Sequence, residues 1–296
     1  MAILILDKNK KEWTKITKEE KSKLSDEEKE KTLSLPDKLI DKLEFGISQQ
    51  AKNNDVVGII SGAEGSGKSS LAGNIMRYVS KDSWNPKKHM IGSDYEQGLE
   101  VIKNIKKGGF ITFDEGNVFF LSTEMMKRES RELHKIFSIF RQKCLFVLII
   151  LPSFLRLNSY FALDRSGFLI RTYIKNGERG QFAYYGRRKK DKLYRVGKKS
   201  HNENAVTPNF RARFNRCYLL ETEDYKNFKL ETLNKSFEVA KPKKLMPPKE
   251  IEKKLIENMI RNNIDKPTKY LSEVLPIGIR RIEQIRKAIN EEQFLK

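Results

Sequence analysis

The stretch Asp55-Val56-Val57-Gly58-Ile59-Ile60-Ser61-Gly62-Ala63-Glu64-Gly65-Ser66-Gly67-Lys68-Ser69-Ser70 decides the fold. It runs from an apolar strand through a glycine-rich loop into a helix start, the setting in which a G-x-x-x-x-G-K-[ST] match becomes a phosphate-binding site. Gly62, Gly65 and Gly67 can adopt the backbone angles that turn successive N–H groups inward, and the helix that follows adds the positive end of its dipole. The candidate cradle is therefore Gly62, Ala63, Glu64, Gly65, Ser66, Gly67, Lys68, Ser69 and Ser70. Lys68 would reach the outer phosphates as a point charge, and the hydroxyl of Ser69 is a candidate ligand for the Mg²⁺ that travels with them. A glycine-rich turn carrying a stray lysine would not fill every motif position behind an apolar strand.

The second chemical signal is Gly109-Phe110-Ile111-Thr112-Phe113-Asp114-Glu115, a buried strand delivering adjacent carboxylates at its C-terminal end, where open α/β sheets hold their ligands. Asp114 is the second candidate Mg²⁺ ligand, and Glu115 is the candidate general base that polarises an attacking water. Alone, an apolar strand ending in Asp-Glu could be a plain strand-to-turn junction; downstream of Lys68 in a strand-helix-strand context it gains its functional reading. Between the two signals, a helix continues over Leu71–Ser80, a strand is expected near His89–Gly92 and a helix over Asp94–Ile105. This alternation predicts a mostly parallel sheet covered on both faces.

After Glu115, a long helix is expected over Ser122–Gln142, with Arg128, Arg131 and Arg141 among its basic positions, and then an apolar strand, Cys144–Leu151, closed by Pro152-Ser153. A polar residue just past such a strand can sense the γ-phosphate, and Ser153 is that candidate, although a simple turn residue would look the same. Upstream, Ile3–Leu6 suits a short strand, and the Lys- and Glu-rich stretch 8–31 reads as a solvated helix or a mobile arm. The charged arm is taken as residues 1–34; an amphipathic helix follows, with Leu39, Ile40, Leu43 and Phe45 at helical spacing.

A phosphate loop, a strand ending in Asp-Glu-Gly, a basic helix, an apolar strand closed by Pro-Ser-Phe and then Leu163-Asp164-Arg165 together resemble the additional-strand P-loop ATPases. Within these the chain is most similar to the FtsK and HerA type of DNA-pumping ATPases, including the zonular-occludens-toxin-like ones. The resemblance covers about residues 55–175. It implies a RecA-like P-loop NTPase domain, ATP and Mg²⁺ as cofactors, and a ring, usually hexameric, in which an arginine of one subunit reaches the γ-phosphate of its neighbour. Arg128, Arg131, Arg141, Arg165 and Arg171 all compete for that role. The glutamine that often follows the sensor strand in the group is replaced here by Pro152-Ser153.

The 296 residues suffice for one large domain with smaller appendages, and the net charge of +20 predicts attraction to a polyanion such as nucleic acid or an anionic membrane surface. A lysine-rich proteome would give the same total, so local clustering has to decide. Phe168–Lys175 alternates as a strand, Asn176-Gly177-Glu178-Arg179-Gly180 reads as a turn and Gln181–Tyr185 as the return strand. A further strand is expected over Leu193–Val196, which makes 168–199 a basic β-hairpin extension of the ATPase domain at 35–235. Arg187, Arg188, Lys189, Lys190, Lys192 and Arg195, with Tyr184, Tyr185 and Tyr194 interleaved, are candidate contacts to a phosphate backbone and its bases. A merely lysine-rich exposed face is the alternative.

Residues 201–215 read as a loop, Cys217–Glu221 as a last strand and Tyr225–Leu233 as a short helix. Residues 236–250, rich in Lys and Pro, read as a linker. Helices over 251–262, 267–274 and 279–290, with Pro276-Ile277-Gly278 between the last two, form a helix-turn-helix-like module at 251–296. On its last helix Arg280, Arg281, Gln284 and Arg286 are candidates for reading DNA, while Ile279, Ile282, Ile285 and Ile289 turn inward; such bundles also dock proteins.

Cys144 and Cys217 sit among apolar residues and read as buried thiols, and His89, His134 and His201 have no ligand spacing, so no metal beyond Mg²⁺ is expected. The apolar run 145–151 is far below the ~20 residues that span a bilayer. No signal-peptide pattern opens the chain, and a cytoplasmic location is expected. Two functions follow: an ATP-driven motor or remodeller on DNA, or an ATP-switched DNA-binding or partner-docking factor that does not translocate. A small-molecule kinase is disfavoured, because the tandem Asp114-Glu115 suits water activation.

Overall fold

The computed structural model describes residues 2–7, 9–92, 95–114, 140–223, 225–227, 229–230, 256, 258–263, 266–275 and 278–294. Glu115, Arg128, Arg131, His134, the linker at 236–250, most of the helix expected over 122–142 and half of that over 251–262 lie outside them. The chain divides into two compact units, Met1–Glu238 and Val239–Lys296.

The first unit is built on strands whose sequences leave little choice. Phe-Val-Leu-Ile-Ile-Leu, apolar at every position, is buried at every position, as a central parallel strand requires. In chain order the strands are β1 (Ala2–Asp7), β2 (Glu12–Ile16), β3 (Leu33–Leu35), β4 (Val56–Ser61), β5 (Met90–Ile91), β6 (Phe110–Phe113), β7 (Phe146–Leu151), β8 (Phe168–Lys175), β9 (Glu178–Gly186) and β10 (Phe210–Arg213). The main sheet has the order β10-β9-β8-β4-β7-β6-β5. The strands from β5 to β8 pair in parallel, while β9 and β10 add an antiparallel edge. Strand β7 separates the strand that feeds the glycine loop from the strand that ends at Asp114.

Alternation along each strand divides the core into two layers. Phe146, Leu148 and Ile150 join Ile60, Ile170 and Phe182 on one face, with Leu71, Ile75 and Met76 of the helix after the loop. Val147, Ile149 and Leu151 join Ile59, Ile111, Phe113 and Leu169 on the other, with Leu193 and Tyr194. The helices are α1 (Lys18–Ser22), α2 (Asp26–Lys31), α3 (Asp37–Ala51), α4 (Lys68–Val79), α5 (Pro86–His89), α6 (Tyr95–Asn104) and α7 (Arg187–Ser200). Helices α3 and α4 cover the first face, and α6 and α7 the second.

In the first unit, four expectations need correction. Residues 8–31 are not one solvated helix or arm: β2 pairs with β1, β1 pairs with β3, and α1 and α2 each open on a capping box, Thr17 with Glu20 and Ser25 with Glu28. Leu4, Leu33 and Leu35 enter the first core layer, and Trp13 donates from Nε1 to the Tyr78 carbonyl at 2.9 Å. Leu193–Val196 is helix rather than strand, because Lys190, Leu193, Tyr194 and Gly197 are buried at a spacing of three to four, not two. The basic cluster therefore lies on α7, and the hairpin β8–β9 belongs to the main sheet. The stretch 201–215 contains β10, and 217–221 holds a 3-10 turn at Tyr218–Leu220 instead of a strand.

In the second unit, α8 (Thr268–Val274) and α9 (Ile279–Phe294) pack around Ile260, Leu271, Leu275, Ile282, Ile285 and Ile289. Ile279, expected inward, is exposed.

Candidate nucleotide site

Strand β4 ends at Ser61, and the chain then turns through Gly62, Gly65 and Gly67 at φ of 150°, 71° and 93°. Angles of this kind turn successive N–H groups to one side and form an anion-binding nest. Space also excludes a side chain at Gly62, where a Cβ would lie 2.3 Å from the Thr172 carbonyl oxygen, while one on Gly67 would press on the Phe214 ring at 3.0 Å. Gly67 is the N-cap of α4, so the positive end of that helix dipole faces the loop. The loop is braced from β8, where Thr172 Oγ1 lies 2.7 Å from Ser66 Oγ, and Ser66 Oγ donates to the Ala63 carbonyl at 2.6 Å.

Lys68 arches over the loop and donates from Nζ to the carbonyls of Gly62 and Ala63, both at 2.9 Å. One residue on, Ser69 donates from Oγ to Asp114 Oδ1 at 3.1 Å. A hydroxyl and a buried carboxylate placed together at the carboxyl edge of a parallel sheet are the oxygen donors that a hard divalent cation takes, and the residues fit Mg²⁺. Among the described residues, no group of three or more His, Cys, Asp or Glu side chains gathers elsewhere as a metal site.

The same pair is covered from a segment that sequence reasoning assigned only to a short helix. Tyr225 places its hydroxyl between Ser69 and Asp114, 3.5 Å from Asp114 Oδ2, and Lys229 makes an ion pair with that oxygen. Burial, reinforced by the negative charge of Asp114, pushes the Tyr225 phenol well above its usual range, against the lowering effect of its hydrogen bond with Ser69. Thr172, Phe214, Tyr225 and Lys229 were all missed, since only strand pairing and chain return bring them to the loop. Arg179 was missed too: its guanidinium lies 3.7 Å from where a Cβ on Gly65 would sit.

Ser153, expected to sense a phosphate, instead donates from Oγ to Glu203 at 2.6 Å. Glu203 also pairs with Arg171 at 3.1 Å, and Arg165 pairs with Asp55 at 2.5 Å, so both arginines serve contacts within the chain. Arg141 is exposed.

The basic cluster splits by the geometry of α7. Arg187, Arg188, Lys192 and Arg195 are exposed, and Lys189 is half-buried and donates to the Pro208 carbonyl at 3.1 Å. Lys190 is fully buried and leaves the set of candidate nucleic-acid contacts: its ammonium donates to the carbonyls of Ala162 and Ser166 and to Ser166 Oγ, and pairs with Asp191. Tyr184, Tyr185 and Tyr194 are buried as well and present no ring to a base. On α9, Arg280 and Arg281 are exposed, whereas Arg286 is half-buried and donates to Thr268 Oγ1 at 3.1 Å and to the Lys266 carbonyl, tying α9 to the start of α8.

The glycine loop between β4 and α4, with Asp114 two strands away across β7, has the layout of a RecA-like P-loop fold. No protein-family model and no curated protein matches the chain. Among solved structures it is similar to the N-terminal domain of zonular occludens toxin from Neisseria meningitidis, at 11% identity over 57% of this chain and 98% of that one, TM-score 0.36. AMPPCP-bound DnaA from Aquifex aeolicus matches at 8% identity over 88% of this chain and 90% of that one, TM-score 0.33. Both likenesses are distant, and the reading of the site rests on its own residues.

Proposed function

We propose that the chain is an ATP-hydrolysing P-loop motor or remodeller that acts on DNA as a ring oligomer. One observation carries the reading: Lys68, Ser69 and Asp114 converge beside a three-glycine loop at the head of α4. In this reading the loop amides and Lys68 bind the polyphosphate, while Ser69 and Asp114 hold Mg²⁺, which when bound would neutralise developing charge on the phosphates. Glu115, next in the chain, is the proposed base that takes a proton from the attacking water. The subunit-bridging arginine is sought at Arg128, Arg131 or Arg141, because Arg165 and Arg171 have partners of their own.

Support for DNA as the track comes from the exposed face of α7, where Arg187, Arg188, Lys192 and Arg195 form a ridge. The test is ATP turnover with and without DNA over a salt series. Wild type should be stimulated by DNA, less so as salt rises, while Glu115→Gln should bind ATP without turning it over. A Glu115→Gln protein that hydrolyses at the wild-type rate removes the assigned base.

A second reading, an ATP-switched DNA-binding or docking factor without translocation, is favoured by the separate core of the second unit and its exposed Arg280 and Arg281. Displacement of a roadblock from linear DNA separates the two, since a switch fails that assay.

A further inference from the structure

The metal side of the site is already engaged by the chain itself. Asp114 has two oxygens: Oδ1 accepts from Ser69, and Oδ2 carries the Lys229 ammonium, with the Tyr225 hydroxyl beside Ser69 and Oδ2. These contacts come from a turn launched at Thr222, whose carbonyl accepts from the amides of Tyr225 and Lys226 at 3.1 and 3.2 Å. The turn is anchored upstream on α4, where Asn74 donates to the Asn215 carbonyl at 2.7 Å and the Cys217 sulfur packs against Gly73. Downstream, the same chain runs to the second unit, which begins at Val239.

A divalent cation between Ser69 and Asp114 would share one carboxylate with an ammonium ion, and like charges at that distance repel strongly where water is scarce. Asp114 is buried, but the Lys229 side chain is 31% exposed, so it is the lysine that has a route into solvent. Tyr225, nine-tenths buried over the same pair, has to give way with it if the metal is to gain room.

We propose that Tyr225 and Lys229 are a latch on the metal position: Lys229 holds Asp114 while the site is empty, and arrival of magnesium with nucleotide expels it. Release frees the turn that carries Tyr225 and Lys229 from Asp114. The inference rests on the nucleotide reading of the site and adds to it a route by which occupancy is transmitted along the chain. Arginine can replace Lys229 as the cation of the latch; an apolar side chain cannot.

The experiment is amide exchange over 222–230 in the full chain, free, with AMP-PNP plus EDTA, and with AMP-PNP plus Mg²⁺, together with the Mg²⁺ concentration that half-saturates AMP-PNP binding. Wild type and Lys229→Arg should exchange faster only with Mg²⁺ and nucleotide together. Lys229→Met should exchange fast in all three states and need on the order of ten-fold less Mg²⁺, the size typical of a coupled pair of sites. Two results overturn the latch while leaving the nucleotide site intact: tighter protection of 222–230 with Mg²⁺ and nucleotide, which would make Lys229 a phosphate ligand, or an unchanged Mg²⁺ requirement in Lys229→Met. Absence of AMP-PNP binding in wild type overturns both readings.

Discussion

Lys68 and Lys190 each rest an ammonium group on main-chain carbonyls of the first unit, yet their surroundings give them opposite roles. Lys68 bridges Gly62 and Ala63 at the mouth of a loop that is open to solvent, at the head of a helix. Of its two acceptors Ala63 is exposed, so that carbonyl can be rehydrated when the ammonium turns to a phosphate. Lys190 is enclosed between α7 and the turn at 160–166, with Ala162, Ser166 and Asp191 around it and no exposed surface. Burial lowers its pKa, and Asp191 opposes that shift. The difference teaches that a lysine in a basic run is functional or structural according to whether its acceptors can be rehydrated when it leaves.

Breaking the enclosed lysine should have the larger effect. Lys190→Met keeps most of the volume but leaves the acceptors at Ala162 and Ser166 without their donor, at a cost of about 3–4 kcal/mol. Thermal unfolding of the first unit should drop by on the order of 10 °C, with nucleotide affinity unchanged where the protein is folded. Lys68→Ala should do the reverse: a melting temperature close to wild type and affinity for ATP weaker by about 100-fold, through loss of a charged partner to the phosphates. Equal melting curves for Lys190→Met and wild type would dissolve the contrast between the two lysines.

The same contrast explains how much could be read in advance. The strand-loop-helix around Lys68 was legible because glycine spacing, an apolar run and a helix start are all local, and so was the Asp114 strand. Strand β7 announced itself by being apolar throughout. Helix α7 was misread because eight basic residues in a row of polar ones hid the recurrence of Lys190, Leu193, Tyr194 and Gly197. A lysine in the core breaks the hydrophobic pattern that periodicity relies on. The capping boxes at Thr17–Glu20 and Ser25–Glu28 were visible signals for α1 and α2. Nothing local could place Tyr225 and Lys229 on Asp114, which lies more than a hundred residues away across the fold.

The core layer on the opposite face of the sheet from α7 holds a tyrosine that the sequence offered to a base. Tyr184 stacks on Phe210 at 4.9 Å, and burial pushes its phenol from 10.0 up to about 12. The folded state therefore keeps this proton longer than the unfolded chain does. Its contribution to stability is full below pH 10 and is lost as pH climbs through 12. Between those limits Tyr184→Phe should lose about 2 kcal/mol less than wild type in denaturant titrations. A phenol that ionises near 10 would mean the ring is open to solvent and free to stack.

The smallest effect belongs to the exposed ridge of α7. Lys192 points to solvent two residues from Lys190, so helical geometry alone separates a surface charge from a core one. Lys192→Ala should leave stability within about 0.5 kcal/mol of wild type. If α7 lies along a phosphate backbone, the substitution should weaken DNA binding to a similar degree across sequences and reduce the slope of log affinity against log salt by about 1. Binding measured at several salt concentrations gives that slope directly. An unchanged slope for Lys192→Ala, and again for Arg188→Ala and Arg195→Ala, would make the ridge an ordinary solvated face and shift the search for the DNA contact to Arg280 and Arg281 of the second unit.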